Sequence, residues 1–228
     1  MMKFWNWVRN EAGRVLRLDG VIAEESWFGD DVTPRMFRDE LEKDAGDVTV
    51  WINSPGGDVF AAAQIYTMLK EYAGRVTVKI DGLAASAASV VAMAGDTVHM
   101  SPVSMMMIHN PATIAIGDSE EMLRAKALLD EVKESIINAY EKKTGLSRTK
   151  LAHMMNDETW MNAYKAVDLG FADSILYDDG QEPVRAGSPV MYSRMAVTNS
   201  LFDKFKAKKP DKLVPVNQLY KRLDLLKP

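Results

Sequence analysis

The chain has 228 residues, 47% of them hydrophobic, a net charge of −4 and no cysteine. That is apolar content enough for one substantial core, and the lack of cysteine excludes a disulfide framework, thiol catalysis and thiolate metal sites. No apolar run reaches the roughly 20 residues of a membrane-spanning helix, and residues 1–13 carry Trp5, Trp7 and Val8 without a signal-peptide apolar stretch.

Residues 1–13 form an N-terminal segment whose aromatics are expected to cap a core or an oligomer contact. Arg14 to Leu18 alternates like an edge or half-buried strand. Thr33-Pro34 reads as cap and first turn of a helix ending near Lys43. Val48 to Ile52 is a strand, Ser54-Pro55-Gly56-Gly57-Asp58 a turn, and Val59 to Tyr72 a helix. Val76 to Ile80 is the next strand, followed by a small-residue helix that opens at Ser86 and stops at Gly95. Thr97 to Met100 and Met105 to Ile108 are short strands. Asp118 or Ser119 caps a long helix to about Lys143, and Ser147 starts a short one. Asn162 caps a helix ending at Gly170, and Ser174 to Leu176 is a final strand. Strands and helices alternating at short intervals predict an α/β fold with parallel pairing, in one domain spanning 14–177.

From residue 178 on, Gly180, Pro183, Gly187, Pro189, Pro210 and Pro215 break any periodicity. Between Pro183 and Pro228, ten Lys/Arg face three Asp/Glu, a balance of +7, so the preceding body carries −11. Residues 178–228 read as a basic flexible tail. An acidic body argues against general nucleic-acid binding.

Ser86 is the chain's best nucleophile candidate. It lies where a β-branched strand turns into a helix, which lifts Oγ out of the sheet beside free helix N–H groups. A serine nucleophile needs a base, an oxyanion hole and a group that orients the base. Of three histidines, His109 ends the apolar strand Met105–Ile108 and is the best base by position. His99 alternates inside a strand as a structural or surface residue, and His153 lies among methionines, in packing. Gly56-Gly57 can turn N–H groups outward without a Cβ in the way, so Gly56 and Gly57 are candidate oxyanion donors with the N–H of Ala87. The orienting acid is Asp157 or Glu158, which position alone does not separate. Lys79 or Lys126 would be the base of a Ser-Lys alternative.

Four ordered motifs carry a resemblance: Ile52-Asn53-Ser54-Pro55-Gly56-Gly57, Gly82 through Ser86, Met107-Ile108-His109-Asn110-Pro111, and Ala163 through Ile175. From about Leu16 to Leu176 the chain resembles the proteolytic subunit of the Clp protease. The resemblance implies a spiral ββα superhelix of the Clp protease/crotonase type, a Ser-His-Asp triad, stacked homo-oligomeric rings and no metal or cofactor. It makes Ser86 the nucleophile and His109 the base, with Gly57 and Ala87 as oxyanion donors. It places Glu158 where the family has Asp, with Asp157 as the alternative acid.

Trp51, Glu158-Thr159-Trp160 and the tail look more like Clp-related head maturation proteases of tailed bacteriophages. Those cleave capsid and scaffold precursors in the prohead, in the host cytoplasm, without an ATPase. The alternatives are the peptidase chamber of an ATP-driven degradation machine with an unfoldase partner, a crotonase-like acyl-CoA enzyme, and a catalytically dead assembly scaffold.

Overall fold

The valine- and isoleucine-rich runs become strands of one mainly parallel sheet. The structure, a computed structural model, describes residues 5–10, 13–23, 34–42 and 44–177. The Thr33 cap, the side-chain environment of Trp5 and Trp7 and the tail 178–228 lie outside the described residues. In chain order the elements are β1 (Trp5–Asn10), β2 (Gly13–Asp19), α1 (Pro34–Glu42), β3 (Val48–Ser54), α2 (Val59–Glu71), β4 (Val76–Ala85) and α3 (Ala87–Ala92). There follow β5 (Thr97–Met100), β6 (Met105–Ile108), α4 (Ser119–Thr144), α5 (Arg148–Asn156), β7 (Thr159–Asn162), α6 (Ala163–Asp168) and β8 (Ser174–Ile175).

The sheet runs β1-β2-β3-β4-β5-β8, with β6 added to β4 and β7 added to β6. All pairings are parallel except β1–β2 and β6–β7. The α/β class with parallel pairing is as expected; four local readings change. Of the two readings of Arg14–Leu18, the half-buried strand holds and the edge does not, because β1 folds back antiparallel along it from Trp5↔Leu18 to Asn10↔Gly13. β4 runs past Ile80 to Ala85, and α3 stops at Ala92, short of Gly95. Residues 159–162, to which the sequence assigned no strand, form β7.

Alternate residues along each strand point the same way. Val48, Val50, Ile52, Val76, Val78, Ile80, Val98 and Met100 are all buried on the helix-covered face. The opposite face is half-exposed: Arg17, Trp51 and Lys79 stand side by side on β2, β3 and β4, with both cations within 5.4 Å of the Trp51 ring centre. α3 is buried all round, which its Ala-Ala-Ser-Val-Val-Ala sequence permits because no side chain on it is large or charged. α4 is capped by Asp118, whose carboxylate accepts from Glu121 N–H, and ends at Gly145 in the left-handed region. Its C-terminal half buries Val132, Ile136, Ile137 and Tyr140. Its N-terminal half leaves Met122, Leu123 and Leu128 exposed.

β4 decides where the site falls. Its first half pairs β5, at Thr77↔Thr97 to Ile80↔Met100, and its second half pairs β6, at Leu83↔Met105 to Ala85↔Met107. The change of partner occurs at Asp81-Gly82. There the chain runs so close to β3 that a Cβ on Gly82 would lie 2.6 Å from Asn53 Oδ1.

Candidate active site

Ser86 follows the last residue of β4, and its N–H donates to Met107 O at 2.9 Å. Its backbone takes φ 54°, ψ −127°, a strained conformation for a residue with a Cβ. The turn presents Oγ at the end of the sheet. His109 stands two residues beyond Met107, so the β4–β6 register brings the two side chains together: Nε2 of His109 lies 2.7 Å from Oγ of Ser86. Both residues are half-buried.

β7 runs antiparallel to β6, with Met107↔Trp160 and Ile108↔Thr159. One step further in that register, residue 158 falls opposite residue 109. Glu158 is half-buried, with φ 49° and its Oε1 accepting from Trp160 Nε1 at 3.3 Å. Asp157 closes the end of α5 and is exposed. Of the two acids, Glu158 is thus the half-buried one at the register position opposite residue 109.

The Gly-Gly turn is built by contacts across the fold. Ile22 N–H donates to Gly56 O, and Asp58 N–H donates to Ile22 O, both at 2.9 Å. Between them Gly57 sits at φ 146°, where a Cβ would come within 2.0 Å of Ile22 O. Gly56 N–H donates to Ser54 Oγ at 3.1 Å, so of the three expected oxyanion donors this one is already engaged. What Gly56 supplies instead is clearance, since a Cβ there would lie 2.7 Å from Ser86 Cβ and 2.9 Å from Ala87 N. The N–H groups of Gly57 and Ala87 have no acceptor among the described residues. The Ala87 N–H opens α3 and has no carbonyl one turn back to take it.

The other candidates lie elsewhere. Nδ1 of His99 is 2.7 Å from Ser174 Oγ, and burial, with Lys79 beside it, holds this imidazole below its ordinary pKa. His153 is exposed, not packed, on the rim of an open cleft beside Glu134, Arg148 and Asn156. The cause is helix phase: α5 buries Leu151 and Met155 and turns residue 153 outward. Lys79 lies over Trp51, and Lys126 pairs with Asp130 at 2.6 Å.

The Clp protease family matches residues 14–179. The chain belongs to the Clp protease family. The match begins at β2 and runs past β8, so it takes in the Gly-Gly turn, Ser86, His109 and both acids. The chain is 31% identical over 183 residues to the ATP-dependent Clp protease proteolytic subunit 1 of Chlamydia abortus, covering 75% of this chain and 95% of that one. It is 32% identical over 143 residues to the subunit of the same name from Chlamydia muridarum, 60% and 74% of the two chains. It is 31% identical over 132 residues to the ATP-dependent Clp protease proteolytic subunit of Bacteroides fragilis, 57% and 64% of the two chains.

Two residues that shape the site escaped sequence reasoning. Ser54 fixes the turn through Gly56, and its place in Asn-Ser-Pro-Gly-Gly is a signal for it. Ile22 acts through its backbone alone, from a segment more than thirty residues earlier, and no side-chain pattern marks such a role.

Proposed function

We propose that this protein is a serine endopeptidase of the Clp type. The observation that carries the reading is the 2.7 Å contact between Nε2 of His109 and Oγ of Ser86. His109 takes the Oγ proton as Oγ bonds to the substrate carbonyl carbon. The oxyanion so formed is received by the N–H groups of Gly57 and Ala87, fixed before the reaction begins. The C–N bond then breaks, the imidazolium gives its proton to the leaving amine, and an acyl-Ser86 remains. A water deprotonated by His109 attacks that ester, releases the acid and restores Ser86. Glu158 orients the imidazole from the β7 side. The scheme uses no metal or organic cofactor.

We assign the enzyme to homo-oligomeric, stacked-ring assemblies. The support is the exposed Ile114, Ile116, Met122, Leu123 and Leu128 along the approach to α4 and its first half, an apolar stretch of the kind that marks association surfaces. For the substrate, the phage-type features at Trp51, Glu158-Thr159-Trp160 and the basic tail favour capsid and scaffold precursors in a prohead, within the host cytoplasm. Among the described residues no helix is long and apolar enough to cross a membrane. A second reading, favoured by the name and 95% coverage of the Chlamydia abortus relative, is the peptidase chamber of an ATP-driven machine.

The test of the chemistry is intact-mass analysis with a fluorophosphonate probe. Wild type gains one adduct, mapped to Ser86, and Ser86→Ala gains none; an adduct at another serine, or no adduct, refutes the assignment. Cleavage of a capsid precursor without ATP supports the prohead role. Co-purification with a hexameric ATPase, and unfolded-protein degradation only with it, supports the second reading.

A further inference from the structure

Directly behind the nucleophile lies a buried polar pair that the scheme above does not use. Ser89 Oγ is 2.5 Å from the backbone carbonyl oxygen of Ser86 and 2.8 Å from the hydroxyl of Tyr140. Ser89 is fully buried and Tyr140 is 1% exposed, so neither can reach substrate. The direction of the pair follows from counting protons. A carbonyl oxygen only accepts, so Ser89 gives it its one proton, and Tyr140 must then donate to Ser89 Oγ. Burial pushes the Tyr140 phenol well above its ordinary pKa, so it stays a donor. The ring itself is held edge-on by Phe171, with centroids 5.6 Å apart.

We propose that Ser89 and Tyr140 are positioning residues for the nucleophile, a hydrogen-bonded chain from α4 through α3 that pins the Ser86 carbonyl and so holds Ser86 in its strained turn. The peptide before Ser86 is pinned by its N–H on Met107 O. The peptide after it is pinned by this chain, together with Ser89 N–H on the same carbonyl at 2.9 Å. With both peptides fixed, φ and ψ cannot relax, and Oγ stays within reach of His109. Hydrogen bonds in series polarise one another, so the phenol strengthens the Ser89 contact it never touches. This inference rests on Ser86 being the nucleophile.

The test compares wild type, Tyr140→Phe, Ser89→Ala and the double variant in two readouts: the rate of fluorophosphonate labelling at Ser86, and the urea midpoint. Peptide hydrolysis resolved into kcat and KM accompanies them. A misplacement of about 1 Å can cost on the order of 100-fold in rate, so partial loosening in Ser89→Ala should slow labelling about tenfold, with kcat falling and KM unchanged. Tyr140→Phe keeps the ring and the Ser89 donor and should slow it about threefold. Ser89→Ala also strands a buried phenol and lowers the midpoint. The double variant strands nothing, so its midpoint recovers towards wild type, while its labelling stays about tenfold slow. Labelling within twofold of wild type in every variant overturns the proposal. So does a double variant whose rate recovers with its midpoint, which would make the pair structural only. An unlabelled wild type instead refutes Ser86 as the nucleophile, and the positioning role with it.

Discussion

Replacing Ser86 by alanine and by glycine separates the strain of its turn from the chemistry proposed for its hydroxyl. At φ 54°, ψ −127° a residue with a Cβ pays about 1–3 kcal/mol, and alanine retains that cost. Glycine removes it but loses about 0.5–1 kcal/mol through the greater freedom of its unfolded chain. Both variants give up the hydroxyl and its contact with His109, so that loss cancels between them. Ser86→Gly should therefore be more stable than Ser86→Ala by about 1 kcal/mol. With a urea slope on the order of 2–3 kcal/mol per molar, the midpoints should differ by about 0.3–0.5 M. The assay is equilibrium urea unfolding at one fixed protomer concentration, because assembly shifts apparent stability by mass action. Equal slopes are required for the comparison. Neither variant hydrolyses peptide. If Ser86→Ala matches or exceeds Ser86→Gly in midpoint, the turn stores no strain and the reasoning fails.

Gly57→Ala would drive a Cβ to 2.0 Å from Ile22 O at a φ of 146°; we expect a loss of at least about 2 kcal/mol in urea unfolding together with loss of hydrolysis. Glu158→Gln should lower kcat by about a hundredfold or more while Asp157→Asn stays within about twofold, and steady-state kinetics showing the reverse order would move the orienting role to Asp157. The basic segment 183–228 carries four prolines after Gly187 and a +7 balance, against −11 for the preceding residues, so active enzyme should shorten its own tail; equal full-length masses for wild type and Ser86→Ala, while wild type cleaves another substrate, would end that idea. Leu123→Asp, on the exposed half of α4, should shift sedimentation to smaller species at unchanged far-ultraviolet dichroism, and an unaltered sedimentation profile would remove this face from the assembly.

Local chemistry made much of the molecule legible from its residues. Period-two burial in Val48–Ile52 and Val76–Ile80 and the Asp118, Ser147 and Asn162 caps are all short-range effects, and so these elements were predictable close to where they form. The strand-to-helix placement of Ser86 and the polar end of the Met105–Ile108 strand belong to the same class. Strand β1 and the antiparallel β7 were not legible, because pairing partners far apart in sequence create them and their own residues give little periodic signal.

The sequence by itself determined which residue types were available for chemistry: one serine at an exposed turn, three histidines, two adjacent acids and a Gly-Gly pair. Only the tertiary structure brought some of them together. The β4–β6 register set Nε2 of His109 2.7 Å from Ser86 Oγ, the β6–β7 register set residue 158 opposite residue 109, and helix phase turned His153 to solvent. Ser54 engaged Gly56, the Ile22 backbone held Gly57, and Ser89 and Tyr140 met behind Ser86 from positions 51 residues apart. Propensity and capping act over a few residues and are written locally, whereas a catalytic distance is set by the register of strands and the phase of helices, which exist only once the whole core has packed.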